Sequence, residues 1–264
     1  MTRRAWFRAG LLSLLPLIVA AAAQPAQPVR ILFIGNSYTF FNDLPQTLAK
    51  LAASATPPVK IETARVLAGG ASLQRHWREG RALEVIRQGD WDYVVLQEQS
   101  LLGNGLTEPE LVVAGPAFFL EFARLFNAEI RKTRARTVFY MTWAREGHPE
   151  FQARLVEAYR EASREMSALL APVGLALQNA RILDPSLKFY HADRSHPTSI
   201  GTYLAACVFY AVLTGQSPVG LPSADVGEGT ANESPLPQIQ LPQNQAEFLQ
   251  KVAWRTVEFD PSRF

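Results

Sequence analysis

Cysteine is nearly absent: Cys207 is the only one in the chain. A single thiol makes neither an intramolecular disulfide nor a zinc cluster, so the fold must rest on its own core. Cys207 falls in an apolar helical pattern and is expected to be a small core residue. Charge of one sign is also lacking, since 26 Lys and Arg against 24 Asp and Glu leave a formal net charge of +2. Beyond the N-terminus the Arg and Lys residues are scattered, which gives no reason to expect nucleic acid as a partner. Internal repeats are missing, and so are the paired histidines at helical spacing that mark a metal motif. His76, His148, His191 and His196 are the four histidines, and neither a metal ion nor an organic cofactor is expected.

Long apolar runs are confined to the N-terminus. Arg3, Arg4 and Arg8 form a basic region, Ala9 to Ala22 is largely apolar, and Ala21-Ala22-Ala23-Gln24 offers small residues for cleavage, so residues 1–23 have the pattern of an export signal. The apolar run is too short for a permanent membrane span, and no integral span is expected after cleavage. Adjacent arginines fit a twin-arginine signal and an ordinary secretory signal equally. The mature protein is therefore expected in the periplasm or outside the cell.

What is present is an alternation of short apolar runs with longer amphipathic ones, the pattern of a parallel sheet covered by helices on both faces. Strands are expected at 30–34, 59–67, 92–97, 137–143 and 173–177, and helices at 44–55, 72–88, 108–132, 150–170 and 199–214. Residues 215–243, rich in Pro, Gly, Ser and Gln, are expected to form an extended loop leading to a last helix at 244–257. With 48% hydrophobic residues, residues 24–264 suit one α/β domain.

The sequence from Val29 to Phe41 organises the rest. Ile31 to Ile34 are four apolar residues with the β-branched content of a strand buried on both faces, and they stop at Gly35. Asn36 and Ser37 are turn formers, and Asp43 with Pro45 marks a helix start. Ser37 thus sits at a strand-to-helix junction, where open α/β sheets place their ligands. Far along the chain stands Asp193-Arg194-Ser195-His196-Pro197. An Asp three residues before a His can orient the imidazole, which then faces a serine brought from elsewhere.

Gly35-Asn36-Ser37 near the N-terminus together with Asp193-x-x-His196-Pro197 near the end resembles the SGNH (GDSL-like) hydrolases, over about residues 29–214. That resemblance implies a flavodoxin-like three-layer α/β/α sandwich on a parallel sheet of about five strands, with Ser37, His196 and Asp193 as nucleophile, base and orienting carboxylate. It further implies an oxyanion hole built from the Ser37 N–H, the Gly70 N–H in Ala68-Gly69-Gly70-Ala71-Ser72, and a side-chain amide after the third strand. The usual Asn of that third block is absent. Gln97 directly follows the apolar run and is the expected donor, in the manner of some carbohydrate esterase branches, with Gln99 as the rival.

Other residues near these blocks invite a role. His76 is expected on a helix surface or rim, His148 on a solvated loop, and His191 as a bystander beside His196. Tyr38, Phe40, Phe41 and Trp143 are positioned to stack on a sugar ring or an acyl chain, or to fill the core. The expectation is an exported serine esterase acting on a small-molecule or carbohydrate ester, foremost a carbohydrate O-deacetylase. The alternatives are a lipid or lysophospholipid esterase, and a non-catalytic flavodoxin-like protein that holds an anion at the Gly35–Thr39 turn.

Overall fold

Side-chain alternation along the strands sets the layering. In β1 (Val29–Gly35), Ile31 and Phe33 point into one core and Leu32 and Ile34 into another, and all four are fully buried. The same division holds in β3 (Tyr93–Leu96), with Val95 on one side and Val94 and Leu96 on the other. In β4 (Arg136–Tyr140), Val138 and Tyr140 oppose Phe139. A strand buried on both faces needs a helical layer on each. The computed structural model describes residues 27–102, 116–230 and 236–260.

Two further strands, β2 (Ile61–Leu67) and β5 (Leu169–Ala171), complete a five-stranded sheet in the order β2-β1-β3-β4-β5, with every pairing parallel. Gly35 pairs with Leu67 and Ile34 with Leu96, so the carboxyl ends of β2, β1 and β3 finish nearly level. This is the flavodoxin-like order, whose ligand crevice opens between the first and third strands. The expected α/β/α sandwich on a five-stranded parallel sheet is the observed fold.

One face is covered by α2 (Leu44–Ala53), α7 (Val173–Leu183), α8 (Ser199–Thr214) and α9 (Gln243–Glu258). The other is covered by α3 (Leu73–Glu79), α4 (Arg81–Gln88), α5 (Ala117–Ile130) and α6 (Gln152–Met166). Gly201 to Ala211 of α8 are buried without interruption, Cys207 among them. That follows from its position: α8 lies against α2, α7, α9 and the sheet, and a helix apolar all round has to be enclosed. Phe209 sets its edge against Phe33 and Tyr140, with ring centroids 5.7 and 5.0 Å apart. Among the described residues no helix is long and apolar enough to cross a membrane.

Several boundaries differ from the expectation for identifiable reasons. The helix expected over 72–88 is two helices, because Gly80 takes a left-handed φ of 76° and ends α3. The strand expected at 173–177 is instead the start of α7, and the fifth strand is Leu169–Ala171. Ser167, left-handed with φ 49°, ends α6 early and frees those three residues for the sheet edge. Pro172 then separates strand from helix. Within 215–243 a small antiparallel pair forms, β6 (Asp225–Gly227) with β7 (Gln238–Gln240). The export signal, and residues 108–115 of the helix expected over 108–132, lie outside the described residues.

Close approach at α7 fixes the loop that follows β4. Gly174 donates its N–H to the Met141 carbonyl at 3.0 Å, while the Gln152 side chain accepts from Ala144 N–H at 2.8 Å and points its amide at the Thr142 carbonyl. A Cβ at Gly174 would lie 1.9 Å from the Thr142 carbonyl oxygen, so backbone would have to move. Gly174→Ala should lower unfolding stability by about 1–3 kcal/mol, as overpacking does, read as a lower urea midpoint with an unchanged denaturant slope.

Candidate active site

β1 ends against the side chain that follows β3. A Cβ at Gly35 would lie 2.5 Å from Gln97 Oε1, so a residue without a side chain is required there. Gln97, 0% exposed, accepts at Oε1 from the Asn36 N–H and from the Thr39 hydroxyl, both at 2.9 Å. Its Nε2 donates to the Glu98 carbonyl at 2.8 Å. Asn36, extended at φ −134°, caps the single helical turn α1 (Ser37–Phe40) by accepting from the Tyr38 N–H at 3.1 Å. Its Nδ2 reaches the Ala71 carbonyl at 2.9 Å. This tethers the glycine loop to the turn that carries Ser37.

Ser37 is the first residue of that turn, where a helical N–H has no intrahelical acceptor. Its Oγ lies 2.8 Å from His196 Nε2. His196 Nδ1 lies 2.5 Å from Asp193 Oδ2, and Asp193 Oδ1 accepts from the backbone N–H groups of both Ser195 and His196 at 2.9 Å. The Asp193 side chain is 46% exposed. Partial burial pushes its carboxyl up, but the His196 ring and the two N–H groups outweigh that and leave its pKa lowered. A carboxylate in this place dictates the tautomer with the proton on Nδ1, leaving Nε2 as the acceptor for the serine proton.

The loop bearing Asp193 and His196 is closed on itself. Tyr190 and Pro197 form an antiparallel bridge, the His191 N–H bonds to the His196 carbonyl at 2.9 Å, and Arg194 takes a left-handed φ of 61°. Phe41 stacks on the His196 imidazole, centroids 4.1 Å apart and planes at 13°. Asn42 joins this loop to the segment that carries Ser37, donating Nδ2 to the Pro197 carbonyl at 2.8 Å and to the Thr202 hydroxyl at 3.0 Å. Sequence reasoning missed Asn42. The Asn-Asp pair just before Pro45 was legible only as a helix start, whereas both residues take left-handed φ, 56° and 51°.

Ser37, Asp193 and His196 are thus brought together in one hydrogen-bonded chain. Gly70 lies in the exposed loop after β2 with φ 62°, a conformation that favours glycine. The expectation for Gln97 is corrected: its carbonyl oxygen and amide are bonded beneath the turn, and with no exposed surface it does not face the cleft. Gln99 is partly exposed, accepts from the Leu101 N–H at 2.6 Å, and among the described residues its amide nitrogen has no partner. His76 is also corrected. It is 2% exposed and its Nε2 lies 2.7 Å from the Gly35 carbonyl. Burial lowers its pKa against the opposing effect of that bond, so the neutral ring donates Nε2–H to β1's last carbonyl. Trp143 is enclosed, stacked on Tyr38 at 4.5 Å with its indole N–H on the Ser195 carbonyl at 3.0 Å, and offers no platform for a substrate. Phe40 and Phe41 keep partial exposure. His148 bonds Glu150 on the surface and His191 packs edge-on to Phe41. Among the described residues no three His, Cys, Asp or Glu side chains gather as a metal site requires.

No protein-family model matches the sequence, and no curated protein matches it. Solved structures do. A DUF4886 family protein from Bacteroides uniformis superimposes with a TM-score of 0.65 at 18% identity, covering 88% of this chain and 96% of that one. A lipase/acylhydrolase from Enterococcus faecalis gives 0.56 at 13% identity over 71% and 96%. Axe2, an acetylxylan esterase from Geobacillus stearothermophilus, gives 0.54 at 15% identity over 69% and 92%. The chain has the fold of these three proteins.

The position of Gln97 sets an order of effects. Gln97→Ala would strand the Asn36 N–H and the Thr39 hydroxyl in a dry site, and stability should fall by about 1–3 kcal/mol for each group left unpartnered. Gln99→Ala, at a partly exposed position, should stay within about 1 kcal/mol of the parent. Urea midpoints of the two variants test this, and equal midpoints would contradict the structural role assigned to Gln97.

Proposed function

We propose that the protein is an exported serine esterase that cleaves a carboxylic ester through an acyl-serine intermediate. The observation that carries the reading is the hydrogen-bonded chain from Ser37 Oγ through His196 to Asp193, at 2.8 and 2.5 Å. Ser37 Oγ attacks the ester carbonyl as His196 Nε2 takes its proton. The C–O bond to the alcohol then breaks, and the imidazolium returns the proton to the leaving oxygen. Water, deprotonated by His196, attacks the acyl-serine, and collapse releases the acid and restores Ser37. The negative charge on the carbonyl oxygen is met by the N–H groups of Ser37 and Gly70, and Gln99 is the side-chain amide left to join them.

A carbohydrate O-acetyl ester is the substrate class we favour. An acetylxylan esterase with this fold and the signal-like N-terminus support it, by analogy. A lipase/acylhydrolase also has the fold, so a lipid ester is the second reading, and acyl-chain preference separates the two. The anion-binding alternative is disfavoured by the turn itself. The Asn36 N–H is bonded to Gln97 and the Tyr38 N–H to the Asn36 side chain, which leaves no nest of free donors for a phosphate.

Ser37→Ala should cut hydrolysis of p-nitrophenyl acetate by several orders of magnitude while leaving the protein folded, and a fluorophosphonate should label Ser37 alone. Labelling elsewhere, or an alanine variant as active as the parent, would remove the proposal. Acetyl esters should be turned over faster than octanoyl or longer esters; the reverse order favours the lipid reading.

The pH dependence follows from Asp193, the carboxylate that orients the imidazole. Its folded pKa is lowered from the ordinary 3.8, so the stability it contributes is complete above that value and is lost only as pH falls through the lowered one. Asp193→Asn should remove that acid-side loss, and urea midpoints of parent and variant that diverged further between pH 5 and 8 would contradict this assignment.

A further inference from the structure

Glu98 is a carboxyl group where a carboxyl group is expensive. It is 1% exposed, and among the described residues it has no ion-pair partner. Its Oε2 accepts from the Leu73 N–H at 3.1 Å and its Oε1 from the Gln99 N–H at 2.5 Å. Leu73 opens α3, so its N–H is one of the groups a helix start leaves without an internal acceptor. The Glu98 backbone N–H is fixed in turn by the Tyr159 hydroxyl of α6 at 3.2 Å, and its carbonyl by Gln97 Nε2.

One side chain therefore spans the two loops that border Ser37. On one side stands Ala68 to Leu73, with Gly70 at its tip and the Ala71 carbonyl bonded to Asn36. On the other stands the chain from Gln97 to Leu102, with Gln99 on it. We propose, building on the esterase reading above, that Glu98 is a positioning residue whose carboxylate bridges the Leu73 and Gln99 amides and so holds the glycine loop and the Gln99 loop in register around the oxyanion.

A neutral acceptor would satisfy one of these amides without a desolvated charge; a carboxylate presents an acceptor oxygen to each at once. Burial pushes the Glu98 carboxyl up from the ordinary 4.5 to about 7, against the lowering effect of the Gln99 and Leu73 N–H groups. The ionisable group facing it is the Tyr159 hydroxyl, whose own pKa burial raises. From α3 it meets the Leu73 amide and from its own loop the Gln99 amide, and among the described residues no cation counters it. Because the folded pKa lies above the unfolded one, native protein binds more protons between them, and stability falls as pH rises from about 4.5 to about 7.

Glu98→Gln is the test, since it keeps the shape but turns an N–H toward one of the two amides. Turnover of p-nitrophenyl acetate should fall by about 10- to 100-fold with KM within about twofold, the signature of misplaced transition-state donors. Amide hydrogen exchange at Leu73 or Gln99 should accelerate, and the stability decline between pH 4.5 and 7 should disappear. Parental turnover in the variant, or parental exchange at both amides, would overturn the proposal. Glu98→Asp, one methylene too short to span both loops, gives the same readouts if the Gln variant does not fold. Exchange at the two amides is read without substrate, so failure of the bridge is distinguishable from failure of the esterase reading, which Ser37→Ala decides.

Discussion

One amide oxygen converts the end of a buried strand into a seat for Ser37. Gln97 Oε1 sits against Gly35 and takes two donors at once, the Asn36 N–H and the Thr39 hydroxyl. It does so because β1 and β3 are neighbours whose last paired residues are Ile34 and Leu96, which brings residue 97 beside residue 35. With those donors satisfied, Asn36 is free to cap the next turn, and Ser37 falls at that turn's first position. Sheet order, glycine, glutamine, cap and serine form a single dependency. A side chain at position 35 or a lost acceptor at position 97 would disturb all of it.

The imidazole arrives differently. Asp193 and His196 are not held by deep burial, since the carboxylate is nearly half exposed. Their geometry comes from the loop's own backbone: two N–H groups on Asp193 Oδ1, the Tyr190–Pro197 bridge, and the left-handed Arg194 between them. Short Asp-to-backbone bonds of this kind are local and need no distant partner. Two contacts from the Ser37 side then fix the loop in space, Asn42 on the Pro197 carbonyl and Phe41 against the imidazole. Both belong to the few residues after Ser37, so the segment that carries Ser37 also aims the imidazole at it.

Much of this was legible in sequence because the signals are local. The run Ile31 to Ile34 stopping at Gly35, the Asp43-Pro45 helix start and the Asp193-to-Pro197 spacing each depend on neighbours along the chain. The failures came where tertiary contact decides. Val173 to Leu177 has the composition of a strand, yet Pro172 and the approach of Gly174 to Thr142 make it helical, while three residues of no marked pattern complete the sheet. Arg-Glu-Gly-Arg at 78–81 shows a glycine but not its left-handed φ. Gln97 was placed correctly at the strand end, but the direction of its amide depended on Asn36 and Thr39, some sixty residues earlier. A rim position is what the sequence predicts for His76, because nothing nearby along the chain reveals that a strand carbonyl needs its proton.

The buried polar residues of the two loops and the turn share one consequence. Asn36, Thr39, His76, Gln97 and Glu98 are all nearly inaccessible; the Thr39 hydroxyl is bonded to the Gln97 side chain, and the other four side chains to backbone that borders Ser37. In a dry setting a polar group left unpaired is costly, so each bond resists rearrangement more than its counterpart in water would. On the proposed esterase reading, the donors of the site are consequently fixed before any substrate arrives, which is the condition under which dipoles stabilise developing charge without reorganising. Glu98 is the extreme member of this set. The other four are satisfied as neutral groups, whereas its bridge is strongest in the ionised form that burial disfavours, so the stiffness of the site and the stability of the fold pull against each other at this one residue.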